Sequence, residues 1–239
     1  MKPLDAILAY VNGQLASHAL YRHLLAHDEW LVPRPPGVLR PTIMVVDLAA
    51  PGAIWAFSSE ASYEASCRAL NAAAIGPIAR LRHLDEALRE DDERVTHLTI
   101  DPSNPIAFHV QTNELASLRR MAHAVAVERA MRERDDRRVL AYQRYAVPYF
   151  GELGRGHNLI TLPSERGTML AAFTAADAID RFLAAGSDEN RRLVKFAIVD
   201  GSQLFPIAQQ VAQGVLMNPM GPSTFGFDLE ACREVAAAG

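Results

Sequence analysis

Cysteine is almost missing from this chain: Cys67 and Cys232 are the only two in 239 residues, with no CxxC pair and no His/Cys cluster at zinc spacing. That argues against a disulfide framework and a structural metal site, and leaves two thiols expected to be reduced and buried. Long apolar runs are also missing. No segment approaches the roughly 18 consecutive apolar residues of a membrane span. The amino end, MKPLDAILAYVNG, has one lysine and is interrupted by Asp5 and Asn12, too short and too polar for a signal peptide. A cytoplasmic chain with no membrane partner is expected. Positive charge is not in excess: 24 Lys and Arg against 28 Asp and Glu give a formal net charge of −4 and a pI near 6.1. A dedicated nucleic-acid binder concentrates positive charge, so nucleic acid is not an expected partner. The Walker, Rossmann, nucleophile-elbow, HExxH and EF-hand signatures are absent as well, which leaves no catalytic, cofactor-binding or metal residue to nominate.

What is there is a composition of 49% apolar and 22% charged residues, enough to build a real core. The chain also repeats itself. LLAHDEWLVP, ending at Pro33, matches VLAYQRYAVP, ending at Pro148, 115 residues on. IWAFSSE matches LAAFTAA through Phe57 and Phe173 at an offset of 116, and HLTIDPSNPIAFHV matches GVLMNPMGPSTFGF at 117. A nearly constant offset over such a span predicts two tandem copies of a small α/β unit. Copy one, with its leading helices, takes residues 1–125, copy two takes 126–239, and a linker helix runs over about 113–138.

Two helices are expected first, one on Leu4, Ile7, Leu8 and Val11 and one on Ala16, Leu20 and Leu24. PTIMVVDL and AIWAFS, like NLITL and TMLAAFT, predict paired strands. Thr174 is expected to cap a helix that carries Ile179, Phe182 and Leu183 on one face and ends near Gly186. Tyr63, Cys67 and Leu70 mark its counterpart. Asp200-Gly201 in VKFAIVDGSQLF predicts a tight hairpin with positive φ at both residues, whereas ARLRHLDEALREDDER predicts a polar helix. DPSNP and NPMGP each close a strand pair. The linker helix presents Leu115, Leu118, Ala122 and Val125 as a stripe.

The stretches PLDAILAYV…LYRHLLAHDEWLVP, FTAADAIDRFL, IVDGSQLF and GVLMNPMGPS resemble the SseB-like domain family, named from an enhanced-serine-sensitivity protein, of its N-terminal domain type. The second half carries the likeness best; the first departs at the DG turn and has Asp101 where the second has Asn218. The resemblance implies a small α/β domain found in bacterial proteins, with no cofactor and no catalytic residues to carry over.

Few residues stand out as a site. His23 and His27 have helical i, i+4 spacing but no third ligand, so a helix edge is expected rather than a metal site. Asp91, Asp92, Glu93 and the run from Glu128 to Arg138 are expected to be solvated faces. A DPSNP turn centred on Ser103 would set His97 opposite His109 on a face whose charge responds near neutral pH, with Leu98, Ile100, Phe108 and Val110 facing the core. Their counterparts are Gly214 and Gly226, which predicts a face open to a partner in copy one and covered in copy two. Met217, Asn218, Met220 and Phe225 complete the candidate partner surface, an adaptable patch beside two prolines. The function expected from the sequence is that of a non-catalytic protein-binding or accessory protein of bacterial type, secretion- or toxin-associated, with another protein as partner and no cofactor. An immunity protein neutralising a cognate toxin, an amino-acid sensor, and an enzyme with a site between the lobes stay open as alternatives.

Overall fold

The computed structural model describes residues 1–33, 53–70, 78–88, 95–151 and 158–238. Its contacts divide the chain into two compact units, Met1–Val125 and Ala126–Gly239. Both are mixed α/β.

The first unit begins with α1 (Pro3–Val11) and α2 (Ser17–Ala26), followed by β1 (Asp28–Pro33), β2 (Ala53–Ala56), α3 (Glu60–Leu70), β3 (Ile78–His83), α4 (Asp85–Leu88), β4 (His97–Ile100), β5 (Phe108–Val110) and α5 (Thr112–Glu133), within which the division falls. Strand β2 runs parallel to β4, β4 antiparallel to β5, and β1 antiparallel to β3; a bridge from Leu31 to Phe57 ties β1 to the end of β2. Ile54, Trp55, Ala56 and Phe57 are all buried, as an inner parallel strand covered on both faces requires. One covered face packs Leu31, Trp55 and Phe57 against Tyr63 and Cys67 of α3.

The second unit continues with α6 (Asp136–Ala141), β6 (Tyr145–Phe150), β7 (Thr161–Ser164), β8 (Gly167–Ala172), α7 (Ala176–Ala185), α8 (Asp188–Leu193), β9 (Val194–Val199), α9 (Gly201–Val211), β10 (Gly214–Met217), β11 (Phe225–Asp228) and α10 (Leu229–Ala237). Its main sheet has the order β11-β10-β8-β7, with β10 parallel to β8 and antiparallel to β11. The side-chain period of two splits β8 between layers. Leu170 and Ala172 join Val215, Met217, Leu204, Phe205, Cys232 and Val235 in one core, while Ala171 and Phe173 meet Ala178 and Phe182 of α7 in another. Strand β6 pairs with β9 and is bridged to the end of β8 through Ala146 and Phe173.

The same strand pairings therefore occur in both units at constant spacing. Leu98↔Val110 and Ile100↔Phe108 in the first become Val215↔Phe227 and Met217↔Phe225 in the second, 117 residues on.

Several expectations need correction. Asp200-Gly201 is no hairpin: Asp200 has φ −87° and caps α9, its side chain accepting from the Gln203 amide while the Gln203 side chain reaches back to the Asp200 amide. The sequence D-G-S-Q fits a hairpin turn and a capping box equally well, and the apolar face of α9 decides between them. Gly201 is needed for close approach, since a Cβ there would come within 2.8 Å of Leu140 Cα. Thr174 does not cap α7; Ala175 holds that position. The expected polar helix over 79–94 is instead β3 followed by the single turn α4, because Leu81 and His83 turn inward against β1; residues 89–94, with Asp91, Asp92 and Glu93, lie outside the described residues. The PTIMVVDL strand also lies outside them. The linker helix stops at Glu133 rather than 138, with Arg134 at φ 55° and Asp135 capping α6. Leu115, Leu118, Ala122 and Val125 are buried as the stripe predicts, but so are Glu128, Ala130 and Met131, so the run from Glu128 onward does not start as a solvated face. In α1 the buried side is Pro3, Ala6 and Ile7, leaving Leu8 and Val11 exposed. Both cysteines are free, Cys232 buried and Cys67 partly so.

Candidate functional site

Catalysis would need polar side chains that the fold leaves uncommitted. In the first unit, Asp101 follows β4 at φ 50° and is buried. Its carboxylate accepts the Ser58 backbone N–H at 2.9 Å and the Ser58 hydroxyl at 2.6 Å, while its own N–H donates to Ala56 O. In the second unit, Asn218 follows β10 at φ 48° and does the same work. Its Oδ1 accepts the Thr174 N–H at 3.0 Å, and its N–H donates to Ala172 O. Aspartate and asparagine tolerate this left-handed conformation better than other side-chain-bearing residues, so each can turn the chain out of the inner strand and clamp the neighbouring strand end. The second clamp has an extra member. Glu128 of α5 accepts from the Thr174 hydroxyl at 2.6 Å and from Asn218 Nδ2 at 3.1 Å. Each clamp thus holds one buried carboxylate, supplied in the first by Asp101 and in the second by a helix.

His27 and Tyr142 form a further matched pair. His27 Nε2 lies 3.2 Å from Ser58 O, and the Tyr142 hydroxyl donates to Thr174 O at 2.7 Å. A carbonyl can only accept, so Nε2 of His27 carries the proton and is no base for Ser58, whose own hydroxyl proton goes to Asp101. Ser58, His27 and Asp101 are close together without forming a nucleophilic triad. Among the described residues, no three His, Cys, Asp or Glu side chains converge as a cation site would need. Burial drives the Tyr142 and Tyr145 phenols well above the usual tyrosine range and the Cys232 thiol up to about 12. These groups stay neutral and serve packing.

The candidate surface residues do not form one patch. His109 stands opposite Thr99, whose Oγ1 lies 3.1 Å from His109 Nδ1, and His97 is engaged instead with Thr96 at 2.8 Å. The turn is centred on Asn104 rather than Ser103, which moves every partner by two positions: the pairing of the histidines is lost, yet Leu98, Ile100 and Val110 still face inward. Met217 and Asn218 are fully buried, one in the core and one in the clamp. Phe225 is half-buried against Phe227. The contrast between the two faces also needs correction, because Gly226 is exposed; only Gly214, at φ 150° and hard against Met169 and β11, is enclosed.

Met220 is the exception. It is 64% exposed, at φ 64°, and helps line a cavity of about 210 Å³ with Phe150, Ile160, Phe182, Leu183 and Val194. Arg191 is the charged residue on this wall, and its guanidinium is committed to the Leu183 and Ala184 carbonyls at the end of α7. Phe150, 39% exposed at the end of β6, pairs with Val194, and Leu193, 55% exposed, is the residue before Val194 at the end of α8. Met220 was legible as an adaptable residue in a proline turn. Phe150, Phe182 and Leu193 were not, since their sequence pattern matches ordinary core positions. Glu128 was hidden in a charged run.

The first unit has a different depression, of about 320 Å³, lined by His27, Asp28, Glu29, Ser58, Glu60 and Arg80, the last two paired with each other. It is open and polar. No helix among the described residues is long and apolar enough to cross a membrane. No family model, curated protein or solved structure matches the chain.

Proposed function

We propose that this chain is a non-catalytic protein-binding or accessory protein, cytoplasmic and of bacterial type, built from two duplicated units. The observation that carries the reading is the cavity of the second unit, an apolar hollow of about 210 Å³ with large exposed side chains, Met220, Phe150 and Leu193, on or beside it. Water-exposed apolar surface around a concave site favours burial of a partner's apolar side chain, and methionine adapts to its shape. Six polar side chains gathered at the strand ends, Ser58, Asp101, His27, Thr174, Asn218 and Glu128, are engaged in holding those ends. The SseB-like resemblance supports the same reading. An immunity protein that occludes a toxin is its most specific form, and the net charge of −4 is compatible with a basic partner.

The test compares proteins captured from the native host by the wild-type chain and by Met220→Asp and Leu193→Asp variants of unchanged thermal stability. A specific protein held by the wild type and lost with both variants is the expected result. A metabolite that stabilises the chain, with capture indifferent to both substitutions, would favour the sensor alternative.

A further inference from the structure

Strand β9 has one edge that no strand among the described residues covers, and the hydrogen bonds of β6 fix the direction of its backbone groups. Ala146 exchanges hydrogen bonds with Phe173, Pro148 O accepts from Ile160, and Phe150 N–H donates to Asn158, so these three β6 residues turn their backbone groups away from β9. Opposite them stand Ile198, Phe196 and Val194. In an antiparallel pair, residues facing each other either both point inward or both point outward. Val194, Phe196 and Ile198 therefore direct their N–H and C=O groups to the outer edge, where no strand among the described residues pairs with them. None of the six residues of β9 is buried, and Ile198 is 59% exposed. The usual protections of an edge are thin here, with Lys195 as the single charge and no proline in the strand.

We propose that this edge pairs with the same edge of a second copy of the chain, forming a two-fold symmetric dimer. An axis through Phe196 sets Val194 of one copy opposite Ile198 of the other, and Phe196 opposite itself, so all the outward groups of the strand meet outward groups. It also sets Lys195 opposite Ala197. A shift that places the axis at Lys195 would oppose two lysines, and one centred on Ala197 would leave Val194 unpaired. The same axis turns the strand end that follows α8, where Arg192 lies, toward the strand end of the second copy that leads into α9, where Asp200 lies, and the reverse by symmetry. Arg192 is exposed, at the end of α8, and Asp200 is half-exposed at the start of α9. Backbone pairing, apolar cover for Ile198 and opposite charges at both ends thus coincide in one register, as an interface between identical surfaces requires.

Sedimentation equilibrium of the full chain is expected to show a particle of twice the 26.2 kDa chain mass. Ile198→Pro removes an outward N–H without touching a bond to β6, and Arg192→Glu sets like charges together outside the strand; each should weaken self-association by about tenfold or more. Hydrogen exchange supplies a readout independent of folding defects. The amides of Val194, Phe196 and Ile198 should slow as concentration rises, while those of Lys195, Ala197 and Val199 stay constant. A monomer throughout the concentration range, or a dimer unaffected by both substitutions, overturns the proposal. Met220→Asp should leave the dimer intact, so loss of a captured partner and loss of self-association are separable.

Discussion

Asp101 grips Ser58 twice, through its backbone N–H at 2.9 Å and its hydroxyl at 2.6 Å, and so fastens the end of β4 to the end of β2. Asn218 and Thr174 repeat the grip in the second unit with an amide in place of the carboxylate, and Glu128 restores the missing charge.

Removing the grip should cost more than changing its charge. Asp101→Ala strands two donors at Ser58 and places a methyl side chain in a left-handed conformation, a loss of about 2–3 kcal/mol. Asp101→Asn keeps an acceptor for the Ser58 amide and should lose about 1 kcal/mol. Urea unfolding of both variants measures the difference; equal losses would remove the clamp as the explanation.

The carboxylate of Glu128 should matter through its two partners. Glu128→Ala leaves an Asn218 N–H without its acceptor in a buried site and leaves the Thr174 hydroxyl only the longer bond to Asn218 Oδ1 at 3.2 Å, at a cost of about 1–3 kcal/mol. A double-mutant cycle with Thr174→Val should return a coupling of about 1 kcal/mol or more. Strict additivity would mean that the two side chains act independently.

Asp200 begins a helix, so its removal should act as loss of a cap. Asp200→Ala is expected to destabilise the chain by about 1 kcal/mol, and Asp200→Asn or Asp200→Ser by much less. A hairpin turn would respond otherwise, with Asn tolerated and Ser not. Thermal unfolding of the series separates the two.

Alkaline pH should unfold the protein cooperatively. Burial raises the Cys232 thiol from 9.0 to about 12; burial first, then Glu114 and Tyr10, raise the Tyr21 phenol from 10.0 to about 12. Tyr142 and Tyr145 shift the same way. A group whose folded pKa is raised contributes its full stability below the unfolded pKa, and that contribution disappears as pH rises toward the folded value, because only the unfolded chain has lost the proton. Stability should therefore decline above about pH 9. The part of the phenolate absorbance that belongs to Tyr21, Tyr142 and Tyr145, three of the six tyrosines, should appear only together with loss of circular dichroism. Complete phenolate formation with native dichroism would contradict the burial of these rings.

The sequence by itself determined the mixed α/β class and most of the elements, because those rest on local periodicity. The leading helices, the inner strands through Ile54 to Phe57 and Met169 to Phe173, the strand pairs around both proline turns and the end of α7 at Gly186 were all legible in this way. Tertiary structure alone decided the features that depend on a distant partner. Whether Asp200-Gly201 turns a hairpin or starts a helix is fixed by the core that receives Leu204 and Phe205. Whether 79–88 is helix or strand is fixed by pairing with β1. The register that separates His97 from His109 depends on where Asp101 leaves its strand, and Asp101 is held there by Ser58, 43 residues earlier in the chain. The candidate surface moved for the same reason. Met217 and Asn218 lie inward and Met220 outward because the clamp on Thr174 fixes the turn between them, and a contact between residues 44 apart leaves no periodicity to read.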